Sequence, residues 1–311
     1  MRRSSLTSIK LFVVRQLYTG LRPQRAHMIH TTTTNPVPPI RTITLMRPLV
    51  WLGLAWRDMA RIGWLSYAHG LALALAGAAI FALTQHRFWL LAGALSGFMV
   101  IAPVLATSLY ALSRALERGE NADFGLVLKT WLNWQGSHIS KWGNDYWCLV
   151  QFGALLALAA TGWVLTSAAL ITLLAPVPIL GPLDFVRYVV LASDGYLFEL
   201  WLALGGIMAA PLFASSVVSI PLLLDRRVSV WQAVLTSWQT VLVNPVPMAF
   251  WAALIMGFTL LGLGSLLLGL IAVIPMLGHA SWHAYRELVD ASLLPARLAA
   301  PIAMAGDAGR R

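Results

Sequence analysis

Residues 146–174 read YWCLVQFGALLALAATGWVLTSAALITLL, a run of 29 residues that contains no charged side chain. A transmembrane helix needs about 20 consecutive, mostly apolar residues to cross the hydrocarbon core of a bilayer. This run is long enough and apolar enough to do so, and it therefore predicts a membrane-spanning helix.

The composition of the whole chain agrees with a membrane protein. Hydrophobic residues make up 59% and charged residues 11% of the 311 residues, whereas an ordinary soluble domain is about 25% charged. So few charged groups cannot cover a water-facing surface. The single cysteine, Cys148, excludes a disulfide within the chain and a metal site built from cysteines, and we expect it to pack as a small apolar residue.

Similar apolar runs elsewhere bring the prediction to six transmembrane helices. The first four cover residues 64–84, 88–112, 146–174 and 197–224. Residues 246–286 are divided at Gly262–Gly264 into the fifth and sixth spans. The chain therefore predicts an all-α fold, a polytopic membrane helical bundle. Amphipathic helices on the cytoplasmic side are expected after the second and fourth spans.

The segment before the first span has a different composition. Residues 1–46 are basic, rich in Ser and Thr, and without an acidic residue, which is typical of an organelle transit peptide, a disordered tail or an over-extended start. Residues 47–290 then form the transmembrane domain, and residues 291–311 form a short cytoplasmic tail. An interfacial helix over residues 49–62 is expected to lead into the first span. Its headgroup-seeking residues are Trp51, Trp56, Arg57 and Arg61.

The distribution of basic residues predicts the orientation. With six spans and a cytoplasmic N-terminus, 20 of the 22 Lys and Arg lie in cytoplasmic segments, and only Arg87 and Arg187 lie outside. Cytoplasmic loops carry such an excess of basic residues. The net charge of +10 therefore indicates contact with anionic lipid and not with nucleic acid, and both termini are predicted to be cytoplasmic.

Two stretches of the chain resemble each other. Residues 97–131 and 205–238, aligned on Pro103 and Pro211, share an Ala-Pro pair, an acid-Arg turn and a closing Trp. Both run from outside to inside, so they form a weak parallel repeat, which occurs both in transporters and in proteins that transport nothing. Each proline either breaks its helix to line a site or kinks it for packing, and we favour packing. The acid-Arg turns, expected to form local ion pairs or else to bind headgroups or a partner, contain Glu117, Arg118, Asp225 and Arg226.

Three segments carry a resemblance to one bacterial family. They read WRDMARIGWLSYAHG at residues 56–70, APVLATSLYALSRALERGE at residues 102–120 and PMLGHASWHAYRELV at residues 275–289. Together they are similar to the predicted integral membrane proteins called domain of unknown function 2189, over about residues 47–290. The resemblance implies the bacterial cytoplasmic (inner) membrane and no settled activity, although some members are labelled putative cytochrome c oxidase subunits.

The histidines argue against a catalytic oxidase subunit. An oxidase core needs several histidines inside the membrane to hold haem and copper. Of the seven histidines, His69 lies in the first span, His279 and His283 lie near the end of the last, and the other four lie in the tail or loops. For His69 we expect a packing hydrogen bond to Ser66, Tyr110 or the His279 region, with a proton relay as the alternative.

His279 and His283 are the candidate metal ligands. At i and i+4 on a helix, both can face one metal ion or haem edge. Trp282 and Arg286 share much of this face, and Arg286 could pair with a lipid phosphate or a haem propionate. No third ligand follows from the sequence, so headgroup anchoring and packing is the favoured interpretation.

The sequence therefore predicts a membrane protein of unknown activity. We expect a non-enzymatic scaffold, assembly or lipid-contacting protein, with membrane lipids and other membrane proteins as partners, no cofactor and no catalytic residue. The alternatives are a small-solute or lipid transporter, and a haem- or metal-associated protein related to respiratory oxidase assembly. The candidate functional or structural residues are His69, Pro103, Glu117, Arg118, Pro211, Asp225, Arg226, His279, Trp282, His283 and Arg286.

Overall fold

The computed structural model describes residues 37–135, 147–192 and 195–297. These residues form helices joined by short turns, with no strand among them, so the all-α prediction is confirmed. The helices are α1 Arg47–Ile62, α2 Trp64–Thr84, α3 Phe88–Leu105, α4 Thr107–Arg118, α5 Phe124–Gln135, α6 Trp147–Leu174, α7 Pro182–Phe185, α8 Leu197–Ser216, α9 Ser219–Asp225, α10 Val230–Val243, α11 Pro245–Gly264 and α12 Leu270–Leu288. A π-helical turn, Val186–Val190, continues α7.

Within the described residues, four helical segments are long and apolar enough to cross a membrane. They are Trp64–Thr84, Trp147–Leu174, Leu197–Asp225 and Pro245–Gly264, the third of which joins α8 to α9. The predicted count of six spans is not confirmed. The second predicted span is divided between α3 and α4, and the sixth corresponds to α12, whose C-terminal half carries histidine, arginine and glutamate side chains.

Two helices end a few residues after the prolines of the predicted repeat, Pro103 and Pro211. Helix α3 runs past Pro103 and ends at Leu105, and α8 runs through Pro211 to Ser216. A proline removes a hydrogen bond from the turn that precedes it, so the prolines alone do not account for breaks that come after them. Pro211 is exposed on the outer surface of α8, and it therefore does not line a packed interior.

Helix α12 occupies the centre of the described bundle. It packs against α1, α2, α4 and α11. Two glycines permit this close packing: a Cβ at Gly70 would fall on the carbonyl oxygen of Ile271, and a Cβ at Gly278 would lie 2.7 Å from Cδ1 of Leu109. The polar C-terminal half of α12 is consequently held against α1, α2 and α4.

On the other side of the bundle, long apolar helices pack in sequence. Helix α3 contacts α6, α6 contacts α8, and α8 contacts α10, while the short helices α4 and α9 contact each other near the centre. The largest fully buried side chains include Trp51 and Trp251, whose rings meet edge to face with centroids 5.5 Å apart. Trp51, expected at the lipid headgroups, is therefore a core residue.

The segment before α1 packs onto the end of α12. The backbone N–H of Arg41 donates to the carbonyl of Leu288 at 2.8 Å, and the N–H of Asp290 donates to the carbonyl of Pro39 at 2.9 Å. Asn244 adds a second attachment, since its side chain accepts from the N–H of Ile43 at 2.9 Å. The sequence assigns residues 37–46 to a tail, yet they are part of the packed structure; residues 1–36 lie outside the described residues.

The segment after α12 packs in a similar way. The backbone N–H of Arg297 donates to the carbonyl of Asp225 at 2.9 Å, and its Nε donates to the carbonyl of Leu223 at 2.8 Å. Arg297 is only 6% exposed. Its guanidinium thus satisfies carbonyls at the C-terminal end of α9, which have no partner within that helix. Residues 298–311 of the predicted cytoplasmic tail lie outside the described residues.

Candidate functional site

Most of the polar candidate residues meet at one end of the bundle. This end, called the polar end below, is formed by the C-terminal halves of α4 and α12, the end of α9, helix α1 and the start of α2. Its side chains form hydrogen-bond networks centred on three acidic residues, Asp58, Asp225 and Glu117. A fourth acidic residue, Glu287, makes its own hydrogen bonds beside them.

A chain of buried hydrogen bonds joins four helices around His279. Oγ of Ser66 lies 3.1 Å from Nε2 of His279, and Oγ of Ser113 lies 2.7 Å from Nδ1. The Ser113 hydroxyl donates to Oδ2 of Asp58 at 2.6 Å, and Nε2 of His283 lies 2.9 Å from the same oxygen. His279, Ser66 and Ser113 are at most 1% exposed and Asp58 is 6% exposed, so this network is almost sealed from solvent.

The geometry determines where the protons of this network reside. An ionised carboxylate can only accept hydrogen bonds, and a hydroxyl has one proton to donate. Because Ser113 gives its proton to Asp58, it must accept from Nδ1–H of His279. The neutral ring then accepts at Nε2 from the hydroxyl of Ser66, and His283 donates its Nε2–H to Asp58. Every donor has an acceptor, as buried polar groups require.

Asp58 makes the stability of the polar end sensitive to acid. Burial by itself raises the pKa of Asp58, but the hydrogen bonds from His283 and Ser113, together with electrostatic attraction to His283, outweigh it, so the pKa lies below the ordinary value. A carboxyl group with a depressed pKa stabilises the fold above its unfolded-state pKa, and this contribution is lost as the pH falls through the folded-state pKa.

We therefore expect the thermal unfolding midpoint of the purified protein in detergent to fall as the pH is lowered below about 4, the pKa of an unperturbed Asp. The Asp58→Asn variant has no carboxyl group to protonate there, so its midpoint should be lower at neutral pH but should depend less on acid. Intrinsic tryptophan fluorescence during heating measures both proteins. Equal slopes of midpoint against pH would contradict the role assigned to Asp58.

Asp225 connects the two predicted acid-Arg turns. Its carboxylate accepts from Nη2 of Arg118 at 3.0 Å, from Nε of Arg226 at 3.0 Å and from the hydroxyl of Tyr285 at 2.9 Å. Asp225 is 1% exposed. Arg114, which the sequence did not single out, donates to the carbonyl of Leu224 at 3.0 Å. The two turns are thus joined to each other by the contact of Arg118 with Asp225, and Arg226 adds a local ion pair within the second turn.

Glu117 binds the end of α12. Its carboxylate lies 2.7 Å from Nη2 of Arg286 and accepts from the indole Nε1 of Trp282 at 3.1 Å. Arg286, considered as a partner for phosphate or a propionate, already has a carboxylate partner. The next residue, Glu287, accepts from Nε of Arg47 at 2.6 Å and from the indole of Trp51 at 2.7 Å.

The metal prediction for His279 and His283 is not tested directly. The two rings lie on one side of α12 and reach the same carboxylate, His283 directly and His279 through Ser113. Both ring nitrogens of His279 are engaged by hydroxyl groups. Over residues 37–135, 147–192 and 195–297, no group of three or more His, Cys, Asp or Glu is arranged to hold a metal ion.

His69 lies apart from these networks. Its Nδ1–H donates to the carbonyl of Leu65, one turn earlier in α2, at 2.7 Å, and not to the side chains expected from the sequence. The ring borders an apolar pocket of about 330 Å³ whose other walls include Leu105, Leu109 and Trp131. The pocket lies between α2 and the α3–α5 segment.

Several residues of the polar end were not predicted from the sequence, chiefly Asp58, Ser113 and Tyr285. For Asp58 a signal existed. The buried positions of α1 include Trp51, Ala55 and Asp58, which fall at i, i+4 and i+7 on one helical face. A carboxylate on the apolar side of an amphipathic helix needs a partner in the protein.

Comparison with known families supports the membrane assignment. Residues 90–225 match the family model described as predicted integral membrane protein (DUF2189). Over these residues the chain is similar to DUF2189. The predicted resemblance is thereby confirmed over residues 90–225, and with four helices suited to crossing a membrane the chain is an integral membrane protein. Comparisons with curated proteins and with solved structures found no match.

The DUF2189 segment supplies only part of the polar end. It runs from α3 to the last residue of α9 and contains Ser113, Glu117 and Asp225. Asp58 and His279 lie outside it, as do the first and third motifs that carry the resemblance in the sequence. The matched segment is therefore completed by α1, α2 and α12, which provide its buried hydrogen-bond partners.

Proposed function

We propose that this chain is a non-enzymatic scaffold of the bacterial cytoplasmic (inner) membrane that binds lipid and other membrane proteins through surfaces around the polar end. The observation that carries the proposal is the mutual pairing of its polar residues. Asp58, Asp225 and Glu117 are held by hydrogen bonds and ion pairs from the protein itself. A catalytic acid or base instead has to reach a substrate from a cleft.

The surface offered to partners is supported by the two amphipathic helices. Along α5, Phe124, Leu128 and Leu132 are 60%, 48% and 55% exposed, while Val127 between them is buried. Along α10, Trp231 and Leu242 are 69% and 70% exposed. Large apolar side chains in rows on helices other than the four spans mark a membrane interface or a protein contact.

The proposal includes six spans with both termini in the cytoplasm. Its support is that most basic residues in the described part of the chain belong to the polar end, whereas Arg87 follows the opposite end of α2. A reporter that is active only in the cytoplasm, fused to the C-terminus, should be active. Activity only of a reporter that functions outside the cytoplasm would contradict this orientation.

The proposal also includes the parallel repeat. In support, α3–α4–α5 and α8–α9–α10 follow the same order: a long helix, a short helix, a turn and an amphipathic helix. Arg118 of the first copy pairs with Asp225 of the second. A duplicated unit of this kind presents two related amphipathic helices at one membrane face, which suits a scaffold.

Photo-cross-linking in intact membranes tests the scaffold. A photoreactive residue replacing Leu128 in α5 should form adducts with a specific membrane protein, and the adduct should disappear when Phe124→Glu is added on the same face. A matched probe at Leu158 of α6, which is 70% exposed within a spanning helix, should give lipid adducts. Lipid adducts alone from both positions would contradict binding of a protein partner.

A further inference from the structure

The junction of α1 and α2 presents an unusual outward face. Trp56 and Trp64 are 60% and 71% exposed, and Arg57 and Arg61 are also exposed. These four residues are called the arginine corner below. Trp56, Arg57 and Arg61 lie on the outward side of α1, whose opposite side packs into the core, and Trp64 is the first residue of α2.

The two arginines of the corner are not used by the fold. Within the described parts of the chain, Arg57 and Arg61 have no hydrogen-bond or ion-pair partner, unlike Arg47, Arg118 and Arg286. Residues at i and i+4 of a helix have Cβ atoms about 5–6 Å apart. Two guanidinium groups so placed repel each other unless an anion lies between or beside them.

The position of the corner identifies the anion. Gly63 joins the helices with φ of 71°, a left-handed conformation that favours glycine, and the next residue begins the apolar span Trp64–Thr84. The corner is therefore where an apolar helix enters the bilayer, which is the level of the lipid phosphates. Tryptophan is enriched at that level because its ring is apolar and its N–H is polar.

We propose that the arginine corner is a binding site for the phosphate of an anionic phospholipid, with Arg57 and Arg61 contacting the phosphate and Trp56 and Trp64 packing at the headgroup boundary. Guanidinium groups bind phosphate oxygens in a bidentate manner. This site gives the lipid contact of the proposed scaffold a location and a headgroup preference, and to that extent rests on the proposed function.

The test compares lipid retention by the purified full-length protein. Equal amounts of phosphatidylglycerol and phosphatidylcholine are supplied in mixed micelles, and the lipids that remain bound are counted by native mass spectrometry. The wild type should prefer phosphatidylglycerol. In Arg57→Gln/Arg61→Gln the preference should fall by roughly 25-fold, since each of the two basic residues near anionic lipid contributes about a fivefold factor. Arg87→Gln, which removes one positive charge at the other end of α2, should keep the preference.

Two further arms separate the alternatives. Arg57→Lys/Arg61→Lys keeps the charge and should keep most of the preference, and an unchanged melting midpoint of each variant shows that the fold is intact. Millimolar inorganic phosphate should not displace the lipid, and displacement would mean a site for free phosphate instead. An unchanged lipid preference in the double Gln variant overturns the lipid site. This holds even if the photo-cross-linking experiment at Leu128 finds a protein partner. If no protein partner is cross-linked but the lipid preference behaves as expected, only the proposed scaffold function is overturned.

Discussion

The Asp225→Ala variant is expected to be destabilised by about 3–5 kcal/mol, the cost of breaking a buried ion pair by removing one partner. The carboxylate of Asp225 is almost completely buried and holds Arg118, Arg226 and the hydroxyl of Tyr285. Without it, two guanidinium groups share an uncompensated site. Arg226 is only 16% exposed, so water cannot replace the lost carboxylate at that side chain.

Thermal unfolding of the purified protein in one detergent measures this effect. Tyr285→Phe removes one hydrogen bond to the same carboxylate and should cost less, about 1–2 kcal/mol. Asp290→Ala is the matched control, because it deletes a carboxylate whose ion pair with Arg41 is exposed, and exposed pairs contribute little to stability. Equal losses for Asp225→Ala and Asp290→Ala would show that the pairing of the two turns does not hold the polar end together.

Replacing Gly70 by alanine is expected to destabilise the protein by about 3 kcal/mol, at the upper end of the cost of overpacking. The added Cβ would fall on the carbonyl oxygen of Ile271 and lie 2.7 Å from its Cα. The neighbour is backbone, which cannot rotate away as a side chain can. Helices α2 and α12 must therefore separate, and Ser66, one turn before Gly70, would move away from His279.

The control for this substitution is Gly257→Ala in the interior of α11. A Cβ at Gly257 meets nothing within 4 Å, and alanine favours a helix over glycine by about 1 kcal/mol. Gly257→Ala should therefore leave the melting midpoint unchanged or raise it slightly. A Gly70→Ala protein as stable as the wild type would mean that α2 and α12 do not cross as closely as described.

The positions of the apolar helices could be predicted because the signal is local. The predicted spans over residues 64–84 and 146–174 coincide with α2 and α6 to within one residue. The break at Ala106, between α3 and α4, could not be predicted in this way. The helix that follows the break, α4, packs against the distant helix α12, where Gly278 lies close to Leu109. The polar half of α12 is also buried against distant helices, and the apolar pattern alone does not show this burial.

Several residues of the candidate site could be predicted from the sequence, but the contacts between their side chains could not. The i, i+4 spacing placed His279 and His283 on one face, and both indeed lie in one network. Their common partner, Asp58, precedes His283 by 225 residues, and no local pattern connects them. The two acid-Arg turns were visible as equivalent, but the cross-pairing of Arg118 with Asp225 requires that α4 and α9 meet in three dimensions.

The separation of Asp58 from its histidine partners has a consequence for biosynthesis. At about 5–20 residues per second, a ribosome needs on the order of 10–45 s to proceed from Asp58 to His283. Throughout that interval the acidic side chain of α1 lacks its partners, and α2 lacks the helix that covers Gly70. A nascent chain that stops before α12 would leave this carboxylate without its histidine partner, so the polar end can be completed only when the last helix has been made.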